Sequence, residues 1–291
     1  MRPLPLSLAS LAAVAIAAAP LAGVSLAGAA LDGCEGEGPK TALSYTEDAK
    51  RAYDAAMEEY NAHNWIEAQA LLREVKRKYS YSKFARMAEL RIADADYEQE
   101  KYSDAIREYK DFIHAHRSDA DDVAYARSRV AESTYAEIPE TALIGAAEER
   151  DQASVVDAYK ELNSYLSDFP DSKESAHVRE LLGQVIARLV RHELYVARFY
   201  LGRDNYDAAV ARIQYALHNY GPGGGAVRAA GVTTDSDLDA EALLLLGQTY
   251  LKMHKWVEAR GAFETIVRAH GGSPIVVQAR DYLQHLTEKG A

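Results

Sequence analysis

Trp65-Ile66-Glu67-Ala68-Gln69-Ala70-Leu71-Leu72-Arg73-Glu74-Val75 sets an aromatic residue, an alanine three later, and apolar residues four and three beyond that. Trp65, Ala68, Leu72 and Val75 therefore share one face of an α-helix. The same spacing returns as Tyr102-Ala105-Tyr109-Phe112, Val155-Ala158-Leu162-Tyr165, Tyr206-Ala209-Ile213-Ala216 and Trp256-Ala259-Phe263-Ile266. Twelve residues past each alanine stands Ser80, Arg117, Pro170, Gly221 or Gly271. Upstream, Tyr60, Tyr97, Tyr200 and Tyr250 precede their anchor alanines by eight or nine residues. Each copy is thus the second helix of a helical hairpin, with a small residue where the first helix approaches closely.

This pattern resembles the tetratricopeptide repeat, and it recurs at spacings of 37, 53, 51 and 50 residues. The expected fold is all-α: a solenoid of about five such hairpins over residues 46–288, closed by a C-terminal capping helix. The repeats fall at about 46–80, 83–117, 123–170 (with an insertion at 138–152 after Ile138-Pro139), 175–221 and 238–271. Thr46-Glu47-Asp48 reads as the start of the first helix. The first helix of repeat four runs from about Ser175 to Leu201, with two turns expected to protrude beyond a standard hairpin. Gly221 opens a Gly-rich, flexible loop to about Asp237. A stack of this kind offers a concave face suited to extended peptides. The 19 Tyr against 5 Phe suit partly wet walls.

Composition allows a large core, with 48% hydrophobic residues. A net charge of −11 and no basic stripe argue against a nucleic-acid partner. Basic residues cluster once, at Arg73, Lys76, Arg77, Lys78 and Lys83, beside Glu67 and Glu74, and read as a solvated helix face. No His-Glu-x-x-His, Gly-x-Ser-x-Gly or phosphate-loop motif occurs. His114 and His116 are two apart and point to different sides of a helix, so neither a metal site nor an enzyme is expected.

Between Arg2 and Asp32 no charged residue occurs, which resembles an export signal over residues 1–33. The sole cysteine follows in Leu31-Asp32-Gly33-Cys34, which resembles a bacterial lipobox, although Asp32 departs from the usual small or apolar residue. Lipidation would leave a diacylglycerol thioether and an N-acyl chain on Cys34. Ordinary cleavage after Ala27–Ala29, leaving a free thiol, and an uncleaved anchor are the alternatives. Residues 34–45 then form a flexible tether, and Glu35 after the cysteine resembles a signal for the outer membrane.

Together these features resemble the BamD family, the lipoprotein of the outer-membrane β-barrel assembly machinery. Glu149-Arg150-Asp151 stands where that family has a charged run, and Tyr206, Ala209, Val210, Arg212 and Ile213 match its fourth repeat. The resemblance implies a non-catalytic subunit without cofactor, lipid-anchored on the periplasmic side of the outer membrane. Its implied partners are a BamA-like barrel component, other Bam lipoproteins and unfolded outer-membrane protein peptides. Arg212 is implied to contact an acidic residue of the barrel component; the residue pattern alone equally allows an exposed arginine or a pair with Asp204 or Asp207. Two departures stand out: the Gly-rich loop is longer, and His114-Ala115-His116-Arg117-Ser118 replaces the usual proline of repeat two. A periplasmic coordinator of envelope constriction and an adaptor of peptidoglycan enzymes are the other classes open to such a scaffold.

Overall fold

All five anchor alanines, Ala68, Ala105, Ala158, Ala209 and Ala259, are fully buried. Around them, in a computed structural model that describes residues 42–139 and 147–290, the chain forms twelve α-helices among the described residues. They are α1 (Ala42–Asn61), α2 (Trp65–Lys78), α3 (Lys83–Glu98), α4 (Tyr102–Ala115), α5 (Ala120–Ala136), α6 (Ala153–Asp168), α7 (Ser175–Leu201), α8 (Tyr206–Asn219), α9 (Gly225–Ala230), α10 (Ser236–Lys252), α11 (Trp256–Ala269) and α12 (Ile275–Glu288). Each helix packs on its successor, apart from the small α9, and α1 on α3, α5 on α7, α7 on α10 and α10 on α12 also meet. This ladder of antiparallel hairpins is the expected all-α solenoid, with α12 against α11 as its end cap. The 1–33 signal and most of the 34–45 tether lie outside the described residues.

Four elbows between paired helices repeat one backbone device. His63, Glu100, Asp204 and His254, each five residues before an anchor alanine, have φ of 55–60°. An L-residue in this left-handed region carries a penalty of about 1–2 kcal/mol. The next residue's N–H offsets it by reaching back to close the helix end: Asn64 to Glu59 O, Lys101 to Asp96 O and Lys255 to Tyr250 O at 2.9 Å, Asn205 to Tyr200 O at 3.0 Å. Rings seal the same elbows, with Tyr60 on Trp65 and Tyr97 on Tyr102 edge to face.

Second helices end on a ring one residue earlier than the spacing suggests. Tyr79, His116, Phe169, Tyr220 and His270 all sit eleven past the anchor and donate their N–H four residues back, at 2.8–2.9 Å. Pro and Gly mark the loop beyond; the ring makes the stop.

Several boundaries differ from expectation. α1 starts at Ala42, inside the expected tether, and Thr46 lies within it with its hydroxyl on Ala42 O at 2.9 Å. α5 begins at Ala120, three residues before Val123, and the last hairpin at Ser236, where Asp235 caps the N–H groups of Asp237 and Leu238. α7 does not protrude: its buried residues run from Ser175 to Ala197. The Gly-rich segment covers the first half of that helix. It holds α9, whose Val227 is buried, and Arg179 Nε donates to Ala230 O at 3.0 Å. The glycines serve close approach there, since a Cβ on Gly221 would lie 2.5 Å from Leu217 O and one on Gly224 2.7 Å from Asn219 O. A 3₁₀ turn at Ala147–Glu149 covers the second half, with Glu148 O 2.7 Å from His192 Nδ1.

The largest buried cluster lies along α5–α10, with separate clusters at repeat one, repeat two and the α10–α12 end. Each fully buried Leu or Phe within them stabilises the fold by about 1.5–3 kcal/mol.

Candidate partner-binding surfaces

The first surface is assembled from α1, α3 and α5. Positions 91, 94 and 98 of α3 recur at helical spacing, which brings Arg91, Asp94 and Glu98 to one side; Tyr125, Arg129 and Glu132 do the same on α5. Asp94 is buried at the centre. Its Oδ1 accepts from the hydroxyls of Tyr109 and Tyr125, the latter at 2.9 Å, and its Oδ2 pairs with Arg91 at 2.5 Å. Arg129 Nε lies 3.8 Å from the same carboxylate and donates to Tyr109 Oη at 3.3 Å. The Arg129 guanidinium stacks 3.7 Å above the Tyr97 ring and pairs with Glu132 at 2.7 Å. Gln69 ties α2 to this region through Asp96, at 2.8 Å.

Burial first, and the Asp94 charge second, hold Tyr60, Tyr109 and Tyr125 protonated far into alkali; Tyr60 is pushed up to about 12. A phenol whose folded pKa exceeds its unfolded one contributes stability that is complete below about pH 10 and is lost as pH rises beyond it. Absorbance near 295 nm is therefore expected to show a class of tyrosines that ionises only as helicity is lost. Smooth titration of every tyrosine near pH 10 with helicity intact would contradict the network.

Asp94 is engaged on both oxygens, Oδ1 by two phenol hydroxyls and Oδ2 by Arg91. The arrangement holds a wall in place. An open groove of about 890 Å³ adjoins it, bounded by Tyr97, Tyr102, Glu132, Tyr135, Pro139 and His177. Its mixture of rings and carboxylates suits an extended polypeptide more than a small apolar ligand.

The second surface surrounds Arg212 on α8. Its guanidinium meets neither Asp204 nor Asp207; it pairs through one terminal nitrogen with Glu193 Oε2 of α7 at 3.3 Å. Asp204 instead accepts from Tyr206. Glu193 is 10% exposed and Arg212 45%, so a buried carboxylate orients a guanidinium that keeps other donors in solvent. One turn on, the half-exposed Tyr215 meets Tyr220, and Tyr220 meets Tyr159, edge to face at 5.9 and 5.5 Å. Neither Glu193 nor the tyrosine row was foreseen, although Tyr215 at three residues past Arg212 was readable as its helical neighbour.

Among the charged run of the insertion, Arg150 donates to Pro139 O at 3.2 Å and Asp151 caps Ala153 N at 3.1 Å, so both support local structure. His116 pairs with Glu89 at 2.9 Å, and no group of metal-ligating side chains occurs among the described residues. No described helix is long and apolar enough to cross a membrane. Cys34 lies outside the described residues.

The profile of a family described as "YfiO: Outer membrane lipoprotein" matches residues 46–229. Among curated proteins, the outer membrane protein assembly factor BamD of Caulobacter vibrioides is 26% identical over 188 residues, 64% of this chain and 59% of that protein. Its namesake from Neisseria meningitidis serogroup A is 27% identical over 173 residues, 59% of this chain and 65% of that protein. The alignments thus span about three fifths of the length of these relatives. Among solved structures, the TPR2AB-domain:pHSP90 complex of yeast Sti1 superposes with a TM-score of 0.43 at 12% identity over 84% of each chain, too loosely to add to the helix order above.

Proposed function

The chain belongs to the YfiO family of outer membrane lipoproteins, and on that premise we propose that it is a non-catalytic subunit for assembly of outer-membrane β-barrel proteins. Cys34 carries the lipid that holds it to the periplasmic side of the outer membrane. The Arg212–Tyr215 surface docks an acidic patch of a BamA-like barrel component, beside other Bam lipoproteins. The tyrosine-walled groove of repeats two and three receives extended segments of unfolded outer-membrane proteins.

The observation that carries this reading is the extent of the family match: residues 46–229 include α3–α5, the groove and the Glu193–Arg212 pair. A bidentate arginine–carboxylate contact is directional, and lysine does not replace it. Arg212→Lys is therefore expected to weaken co-purification with the barrel component about ten- to a hundredfold. Arg212→Glu would also set a second carboxylate against buried Glu193. The cleaner variant joins Arg212→Gln to Glu193→Gln, which leaves no charge unpaired. Undiminished recovery of the barrel component with that double variant would remove Arg212 from the interface. Cys34→Ser should abolish acyl labelling; a persistent label would place the lipid elsewhere.

A further inference from the structure

Between Glu74 and Glu89 the chain carries Lys76, Arg77, Lys78, Lys83 and Arg86 and no acidic residue. Two of these are neutralised. Lys76 pairs with Glu89 at 3.6 Å, and Arg86 with Asp119 and Asp122 at 2.9 Å each. Arg77, Lys78 and Lys83 are exposed and have no ion-pair partner among the described residues. The Lys78 and Lys83 ammonium groups lie 5.6 and 5.2 Å from the centroids of the Tyr79 and Phe84 rings, which steadies both side chains at the exposed edge of the loop. Between them Tyr81 is 97% exposed.

The position of this loop gives it meaning. Tyr45, in the first turn of α1, packs edge to face on Tyr79 at 5.4 Å. The loop between α2 and α3 therefore lies beside the point where the chain enters the fold at Ala42. Eight residues separate Ala42 from Cys34, a reach of at most about 28 Å. The corresponding connections after α4 and α6 hold one cation each beside their acids, Arg117 with Asp119, and Lys173 with Asp171 and Glu174, and neither has a run of unpaired cations like this one. An anionic bilayer would repel a molecule of net charge −11 as a whole and attract this loop.

We propose that the Arg77–Lys83 loop is a membrane-facing surface that binds anionic phospholipid headgroups and seats repeat one on the bilayer next to its lipid attachment. The cations meet phosphate, and the Tyr81 ring enters the headgroup layer, where tyrosine is at home. The proposal rests on the reading of Cys34 as the anchor, because that reading brings the loop within reach of a membrane. The acyl chains of Cys34 would suffice for attachment; the loop sets which side of repeat one faces the bilayer.

The test uses the full chain with Tyr81→Trp as a reporter. Vesicles of phosphatidylcholine alone, or mixed with phosphatidylglycerol, carry brominated acyl chains, and quenching is measured relative to the parent. Quenching is expected with the mixed vesicles and not with phosphatidylcholine, and it should fall as salt rises. Each surface cation contributes about fivefold, so Arg77→Glu, Lys78→Glu and Lys83→Glu together should weaken the interaction at least a hundredfold or so. Equal quenching in both vesicle types, none in either, or none lost on charge reversal would overturn the proposal. So would a response to an acidic polypeptide but not to vesicles, which would assign the loop to a protein. Acyl labelling of the same preparations reports on Cys34 separately: a missing label with charge-dependent quenching sinks the anchor and keeps the loop.

Discussion

Asp94→Ala is expected to destabilise the first three repeats by about 3–5 kcal/mol, the range for removing one partner from a buried ionic network. The carboxylate gathers the Tyr109 and Tyr125 hydroxyls, Arg91 and, at 3.8 Å, Arg129. Tyr109 is fully buried, so without Asp94 its hydroxyl keeps only the contact with Arg129, itself a donor. Asp94→Asn preserves shape and one acceptor but forfeits the charge, and should cost about 1–3 kcal/mol. Repeats one and two have buried clusters of their own, apart from the large one along α5–α10. Denaturant unfolding of the Ala variant should therefore separate into two steps, the earlier one in the amino-terminal repeats. A single transition within about 1 kcal/mol of the parent would show that the network is not what holds these helices together.

Gly247→Ala should reverse the usual sign for a helix. Alanine normally gains about 1 kcal/mol over glycine in a helix interior. A Cβ at position 247 of α10, however, would lie 2.4 Å from the Phe263 ring, which is fully buried and stacked flat on Tyr282 at 4.8 Å. The ring cannot retreat, so overpacking should leave a net loss of about 1–3 kcal/mol. Adding Phe263→Leu should recover part of that loss relative to the sum of the single changes, which marks direct coupling. Melting followed by hydrogen exchange in α12 would check both; a Gly247→Ala protein as stable as the parent would mean that the ring moves freely.

The five-fold register was legible because each hairpin needs a small residue at one fixed place, and alanine there is visible in the primary structure. The elbows were not, because His63, Glu100, Asp204 and His254 are ordinary residues held at positive φ by the closing hydrogen bonds of a neighbour. α9 was hidden by its glycines, which mark tight approach at Gly221 and Gly224 as readily as they mark slack. On the candidate surfaces, Arg212 could be singled out by resemblance, but its partner Glu193 lies nineteen residues back on another helix. Asp94 and Asp96 are buried, because helices on both sides supply hydroxyl and amide donors that local sequence does not reveal.

The 27 residues of α7 make a rod of about 40 Å. It is gripped near its start, at Arg179, by the Ala230 carbonyl and well along its second half, at His192, by the turn at Glu148. A stiff beam clamped at two stations transmits a push instead of absorbing it. A load applied where Glu193 meets Arg212 would arrive at the far clamp as a tilt of the whole beam, and the helices stacked on its flanks would turn with it.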